Sequence, residues 1–181
     1  MKKVMHIIAL IVNILTIVFV VLYDQLQLDI LLTLAITLGT TAYHFDMRLL
    51  VGIIVDCIMH NKADYHKKWY QPLKIETRLY EILKVKSWKD KMPTYSPDLF
   101  SLEKHSLEEI VQGVCQSEIV HEIIVILSFV PILVIPIFGA DMVFIITSLL
   151  AVCLDMMFVI MQRYNRPRIV KLIEKRNKSR Y

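Results

Sequence analysis

Two short stretches carry residue types that can move a proton and steady a developing charge. In SEIVHEIIVILSFVPILVIPIFG, residues 117–139, Glu118, His121 and Glu122 head a run that is otherwise apolar. In QRYNRPR, residues 162–168, Asn165, Arg166 and Arg168 close another. An imidazole with flanking carboxylates suits general-base activation of a hydroxyl near neutral pH, and a nearby cation or amide can stabilise an oxyanion. Such groups are expensive in hydrocarbon, on the order of several kcal/mol each unless paired or hydrated, so their presence there requires a reason.

A third set belongs deeper in the apolar runs. His44, Arg48, Gly52 and Asp56 step by four and form one polar stripe on a helix, while Ser148, Asp155, Gln162 and Arg166 recur at seven, seven and four on another. Counted from the outer ends of their runs at ~1.5 Å per residue, His44 and Asp155 come within one turn of the same depth. Arg48, Glu118, His121, Glu122, Asn165 and Arg166 all fall near the inner boundary. Three runs therefore deliver ionisable groups to one zone at the cytoplasmic leaflet, where His44, Arg48 and Asp155 join the candidates for binding. Structural readings stand beside this one. His121 and Glu122 would snorkel to water, Asp155 would pair with Arg48 or His44 to lock helix register, and the basic NRPR would be a stop after a span.

The elements that must position these residues follow from hydropathy. The chain has 181 residues, of which 56% are hydrophobic, and a mean hydropathy of +0.53. Its apolar residues cluster in runs from Val4 to Tyr23, Ile30 to Phe45, Ile119 to Phe138 and Met142 to Met161. Each approaches the ~20 residues that cross a bilayer core of about 30 Å. The expected fold is all-α: a polytopic membrane bundle of about four spans, at 4–23, 28–48, 119–138 and 142–162, in a single membrane domain over 1–181. The first run starts like a signal peptide, but its length and the lack of a small-x-small site before Asp24 read as an uncleaved anchor. Leu49 to Met59 is too short for another crossing and reads as an interfacial or re-entrant helix.

Lysine and arginine gather in the segment 60–117 and after Gln162, and are missing from the links DQLQLD and FGAD. By the positive-inside bias, both termini and the 60–117 segment are cytoplasmic, in a multi-pass protein of the cell membrane. The formal charge of +4 is then a topology signal, with no nucleic-acid partner implied. Within 60–117, Ile75, Leu79, Ile82 and Leu83 predict an amphipathic helix with Glu76, Arg78, Glu81 and Lys84 facing outward. SWKDKMPTYSPDLF is a Pro-shaped loop with Trp88 as an interface anchor. Ser106 and Glu109 form a capping box, placing a helix start at Leu107 that leads into the third run, straight or bent near Gly113. Pro167 ends the last helix, and a basic tail follows.

Several chemistries lack their residues. His121-Glu122 begins like HExxH, but position 125 is Val, and one ExxH is half of what a di-iron bundle needs. No histidine has an aspartate five positions on, no Walker motif or GxSxG occurs, and only four glycines exist. The three cysteines form no CxxC, and Cys115 lies on a different helix face from His121, so it is discounted as its nucleophile.

From Trp69 to Lys175 the chain resembles the CrtO-type glycosyl-diaponeurosporenoate acyltransferases, small membrane enzymes of Gram-positive bacteria. The likeness rests on WYQPLK, on KSWKDKMP, on the ExxH of Glu118 to His121, and above all on QRYNRPR. It implies transfer of a fatty acyl group from a thioester donor, acyl-CoA or acyl-carrier protein, to a sugar hydroxyl of a glycolipid, a carotenoid glycoside in the named members. It points to Trp88, Lys89, Glu118, His121, Asn165, Arg166 and Arg168. His121 would be the base, oriented by Glu118. Arg166 and Arg168, with Lys89, would hold the phosphates or pantetheine of the donor or the oxyanion, and Asn165 would donate to the thioester carbonyl. No bound cofactor or metal is implied. The alternatives are a non-catalytic membrane scaffold in lipid or envelope synthesis and another inner-leaflet lipid-modifying enzyme, such as a methyltransferase or reductase.

Overall fold

A computed structural model describes residues 2–94 and 97–179. Tyr95 and Ser96 of the Pro-shaped loop lie outside the described residues. The described chain is helical, with no strand: α1 (Lys2–Leu26), α2 (Asp29–Met59), α3 (Lys74–Ile82), α4 (Val85–Trp88), α5 (Leu107–Leu127), α6 (Ile135–Phe138) and α7 (Asp141–Lys178), joined by turns and short 3₁₀ segments. Three helical stretches, Lys2–Leu26, Leu107–Phe138 and Asp141–Lys178, are long and apolar enough to cross a membrane. The chain forms two compact units, Met1–Gly52 with Ile123–Asp155 and Ile53–Glu122 with Met156–Tyr181.

The first unit is built inside out relative to a water-soluble bundle. Val4, Leu10, Ile17, Ile30, Ile126 and Leu150 are exposed, each by half or more of its surface, while the interior takes Ala9, Ala35, Ala42, Ala151 and a set of polar groups. Small residues let backbones approach where packing rather than water drives association. A Cβ added at Gly39 would lie 3.4 Å from the Thr16 methyl. Some polar side chains pair with one another or with backbone: Asn13 Nδ2 donates to both carboxylate oxygens of Asp46 at 3.1 and 2.9 Å, and Tyr43 donates to the Leu127 carbonyl at 2.8 Å.

The second run differs from expectation. No separate helix begins at Leu49, because α2 runs unbroken for 31 residues. Thr37, Thr40 and Thr41 each donate to the carbonyl four residues back at 2.8 Å, so hydroxyls that lower hydropathy are absorbed by the helix itself. Its end is held in the second unit, where Asn61 sits at φ 54° and its N–H donates to Gln116 Oε1 at 2.7 Å. Gln116 Nε2 donates in turn to Asp56 at 3.0 Å.

The helix at Leu107 begins as its capping box requires: Ser106 N–H donates to Glu109 Oε2 at 2.8 Å, and Glu109 N–H donates to Ser106 Oγ at 3.2 Å. It passes straight through Gly113 and breaks after Leu127, where Pro131 and Pro136 convert the chain to a 3₁₀ turn and the short α6.

Two expectations in the second unit are overturned. Pro167 does not end the last helix; α7 continues to Lys178. Proline removes one N–H, but burial of Tyr164 and Arg166 before it and of Ile173 after it, with an Arg176–Glu108 ion pair, holds the helix on both sides. On α3 the apolar residues do not turn inward: Ile75 and Ile82 are 73% and 67% exposed and Glu76 is buried, while Arg78, Glu81 and Lys84 are exposed as expected. The apolar face of α3 points to the surroundings and a carboxylate points inward.

Candidate functional site

The interior of the second unit holds a carboxylate–guanidinium cluster. Arg163 and Arg166, three apart on α7, face Glu118 and Glu122, four apart on α5, and α3 contributes Glu76. Arg163 is the hub. Its Nε and Nη2 donate to Glu76 Oε1 at 2.8 and 2.6 Å, and its Nη1 donates to Glu118 Oε1 at 2.8 Å. Arg166 Nη1 donates to the other oxygen of Glu118. Glu118 is fully buried and Arg166 almost so, so each carboxylate oxygen of Glu118 already faces a guanidinium. That double pairing offsets the cost of withdrawing the Glu118 carboxylate from water.

Aromatic rings close the cluster. Tyr80 donates to Glu76 Oε2 at 2.8 Å and stands edge-on to Tyr164, with ring centres 5.3 Å apart. Burial first, and then the bond to Glu76, push the Tyr80 phenol above its usual range. Tyr70 is raised as well, chiefly by burial, and lies 5.1 Å from the Arg166 guanidinium carbon. Trp69 donates to Glu122 at 3.1 Å.

The residues singled out in the sequence fall into separate arrangements. Glu118 and Arg166 meet directly. His121, half-buried, stacks face to face on Phe158 with ring centres 4.5 Å apart and planes 9° from parallel. Asn165 is half-buried. Arg168 is exposed; its guanidinium lies 3.4 Å from the Tyr164 ring centre and donates to the Tyr164 carbonyl. Trp88 and Lys89 bond locally, Trp88 to the Leu83 carbonyl at 2.9 Å and Lys89 to Asp90. In the first unit, Arg48 pairs with Asp155 and donates to the His44 carbonyl at 2.8 Å. His44 is buried there, edge-on to Tyr43 at 5.4 Å. Asp155 thus pairs with Arg48, one of the alternatives expected for it.

Sequence reasoning passed over Arg163, Glu76 and Trp69. Arg163 lies three before Arg166, a spacing that marks a shared face. Glu76 had been assigned to solvent by treating α3 as a soluble amphipathic helix. Among the described residues, no group of three His, Cys, Asp or Glu side chains is arranged to hold a metal ion.

The model of the CrtO family, described as glycosyl-4,4'-diaponeurosporenoate acyltransferase, matches residues 66–175. That is more than half of the chain. The chain belongs to the CrtO family. The CrtO match contains every member of the cluster, together with His121, Asn165 and Arg168, and it leaves out His44 and Arg48. No curated protein and no solved structure matches the chain.

Proposed function

We propose that the protein is a membrane acyltransferase that moves a fatty acyl group from a thioester donor to a sugar hydroxyl of a glycolipid. The observation that carries this reading is membership of a family named for such an activity, over the residues that build the buried cluster. In this scheme a ring nitrogen of His121 takes the proton of the acceptor hydroxyl as its oxygen attacks the thioester carbonyl. Asn165 donates to the oxyanion, the thiolate leaves with the proton, and His121 returns to its starting state. Phe158, stacked on the imidazole, sets the plane in which that proton moves. Glu118 acts through the guanidiniums it holds. Arg163 and Arg166 fix the α5–α7 contact and supply positive charge where the donor binds, with Arg168, Lys89 and Trp88 at its approach.

The placement of bases supports a four-span topology with α2 as the additional crossing. With an acidic link after α1 and another before α7, and basic segments at 60–117 and after Gln162, only an even number of crossings on each side of the middle segment keeps all basic parts cytoplasmic. A cytoplasmic-leaflet site then meets a donor made in the cytosol, while the acceptor's lipid tail stays in the bilayer.

The test is acyl transfer by purified protein in liposomes. Labelled acyl-CoA or acyl-carrier protein is offered with a glycosylated carotenoid or a glycosyl diacylglycerol, and esters on the sugar are read by mass spectrometry. The expected result is a new sugar ester that requires the protein. No transfer from either donor, together with unchanged glycolipid esters in cells lacking the gene, overturns the reading in favour of a scaffold.

A further inference from the structure

Arg166 is 1% exposed, yet only part of its guanidinium is engaged. Nη1 donates to Glu118, whereas Nε and Nη2 have no hydrogen-bond partner among the described residues. The Cys115 thiol beside it is a weak acceptor, and the Tyr70 ring offers its face rather than a lone pair. Nε and Nη2 form one edge of the guanidinium, the edge that grips two oxygens of a carboxylate or phosphate side by side.

That arginine lines a cavity of about 210 Å³, together with Tyr65, Tyr70, Gln71, Val170 and Lys171. At ~30 Å³ per water, the space is several waters large, more than a lone carboxylate fills. Lys171 and Glu174, both exposed, also line it. Their charges offset each other, and Arg166 is already shared with Glu118, so the site suits an anion of low charge. Arg168 is not among the lining residues.

We propose that this cavity is a phosphodiester site: Nε and Nη2 of Arg166, unpaired among the described residues and closed off from water in this structure, donate to the two non-bridging oxygens when a ligand fills the cavity beside them. The same chemistry has two sources: the phosphate-linked arm of a soluble thioester carrier, or the headgroup of an acidic phospholipid. The soluble source rests on the acyl-transfer reading; the site itself does not.

The experiment measures thermal stability and binding of the full chain in neutral detergent, with CoA in one arm and micelles doped with phosphatidylglycerol in the other. Stabilisation by CoA at sub-millimolar concentration assigns the soluble source, and stabilisation by phosphatidylglycerol alone assigns the headgroup. In either case Val170→Trp, which fills the cavity without removing a charge, abolishes the response, and Lys171→Glu weakens binding at least tenfold. No response to either ligand overturns the proposal, as does a Val170→Trp protein that responds like wild type. If Val170→Trp does not fold, unchanged binding by Lys171→Glu is the overturning result. Wild type that binds but transfers no acyl group leaves this site standing and refutes only the proposed reaction.

Discussion

Arg166 and Glu118 meet inside the second unit with 1% and 0% of their surfaces exposed. Arg166→Ala leaves one oxygen of a buried carboxylate without its guanidinium, which costs about 3 kcal/mol or more. The expected outcome is a large fall in Tm in detergent. The double variant Arg166→Met, Glu118→Gln should be less destabilised than the sum of the singles, because both charges leave together. Simple additivity would show that the two are not coupled.

His121 stacks face to face on Phe158. Loss of that stack in His121→Ala should cost about 1 kcal/mol, the scale of an aromatic contact. Its acyl-transfer rate should fall by ~10²-fold or more, as for loss of a general base. Labelled-donor assays and thermal melts on the same preparation check both. Full activity in a folded His121→Ala protein removes this residue from the chemistry.

Tyr80 has a defined alkaline signature. Its phenol is raised by burial and by its bond to Glu76, so the folded state favours the protonated form. That contribution to stability is complete below about pH 10, the ordinary tyrosine value, and is lost as pH rises from there towards the folded-state value. Stability measured between pH 9 and 12 should fall less steeply in Tyr80→Phe than in wild type. The late-ionising tyrosine in the ultraviolet titration should also vanish in that variant.

The exposed isoleucines of α3 predict where lipid lies. A spin label at Ile82→Cys should be more accessible to oxygen than to a water-soluble nickel reagent, and a label at Arg78→Cys should show the opposite ranking. For topology, a cysteine at Gln25 should react with impermeant reagents from outside, and one at Asp64 only after permeabilisation. Inside-only labelling of Gln25→Cys would overturn the four-span orientation.

Periodicity and caps made much of this architecture legible. The Ser106–Glu109 box marked the start of α5 to the residue, because its two hydrogen bonds are local and do not depend on what the helix later packs against. Pro167 misled for the opposite reason: a local rule about a missing N–H was overridden by burial on both sides of it. The Leu49–Met59 stretch misled because the polar YHFDMR before it read as the end of a helix, whereas α2 carries those residues unbroken to Met59. On the candidate site, the pairing of Asp155 with Arg48 was within reach of spacing and depth. The hub role of Arg163 was not, since nothing in one sequence says which of several arginines on a helix finds two carboxylates. Glu76 was assigned the wrong way because the oil-inside rule presumes water outside.

The buried carboxylate of α3 decides how this segment is attached. Glu76 is its buried residue, gripped by Arg163, while Ile75 and Ile82 are exposed. The helix thus has two adhesives, one ionic towards the protein and one greasy towards its surroundings. They answer to different agents. Neutralising Glu76 would unfasten it from its neighbours, whereas swapping Ile82 for a charge would remove the greasy hold and leave it tethered by Arg163.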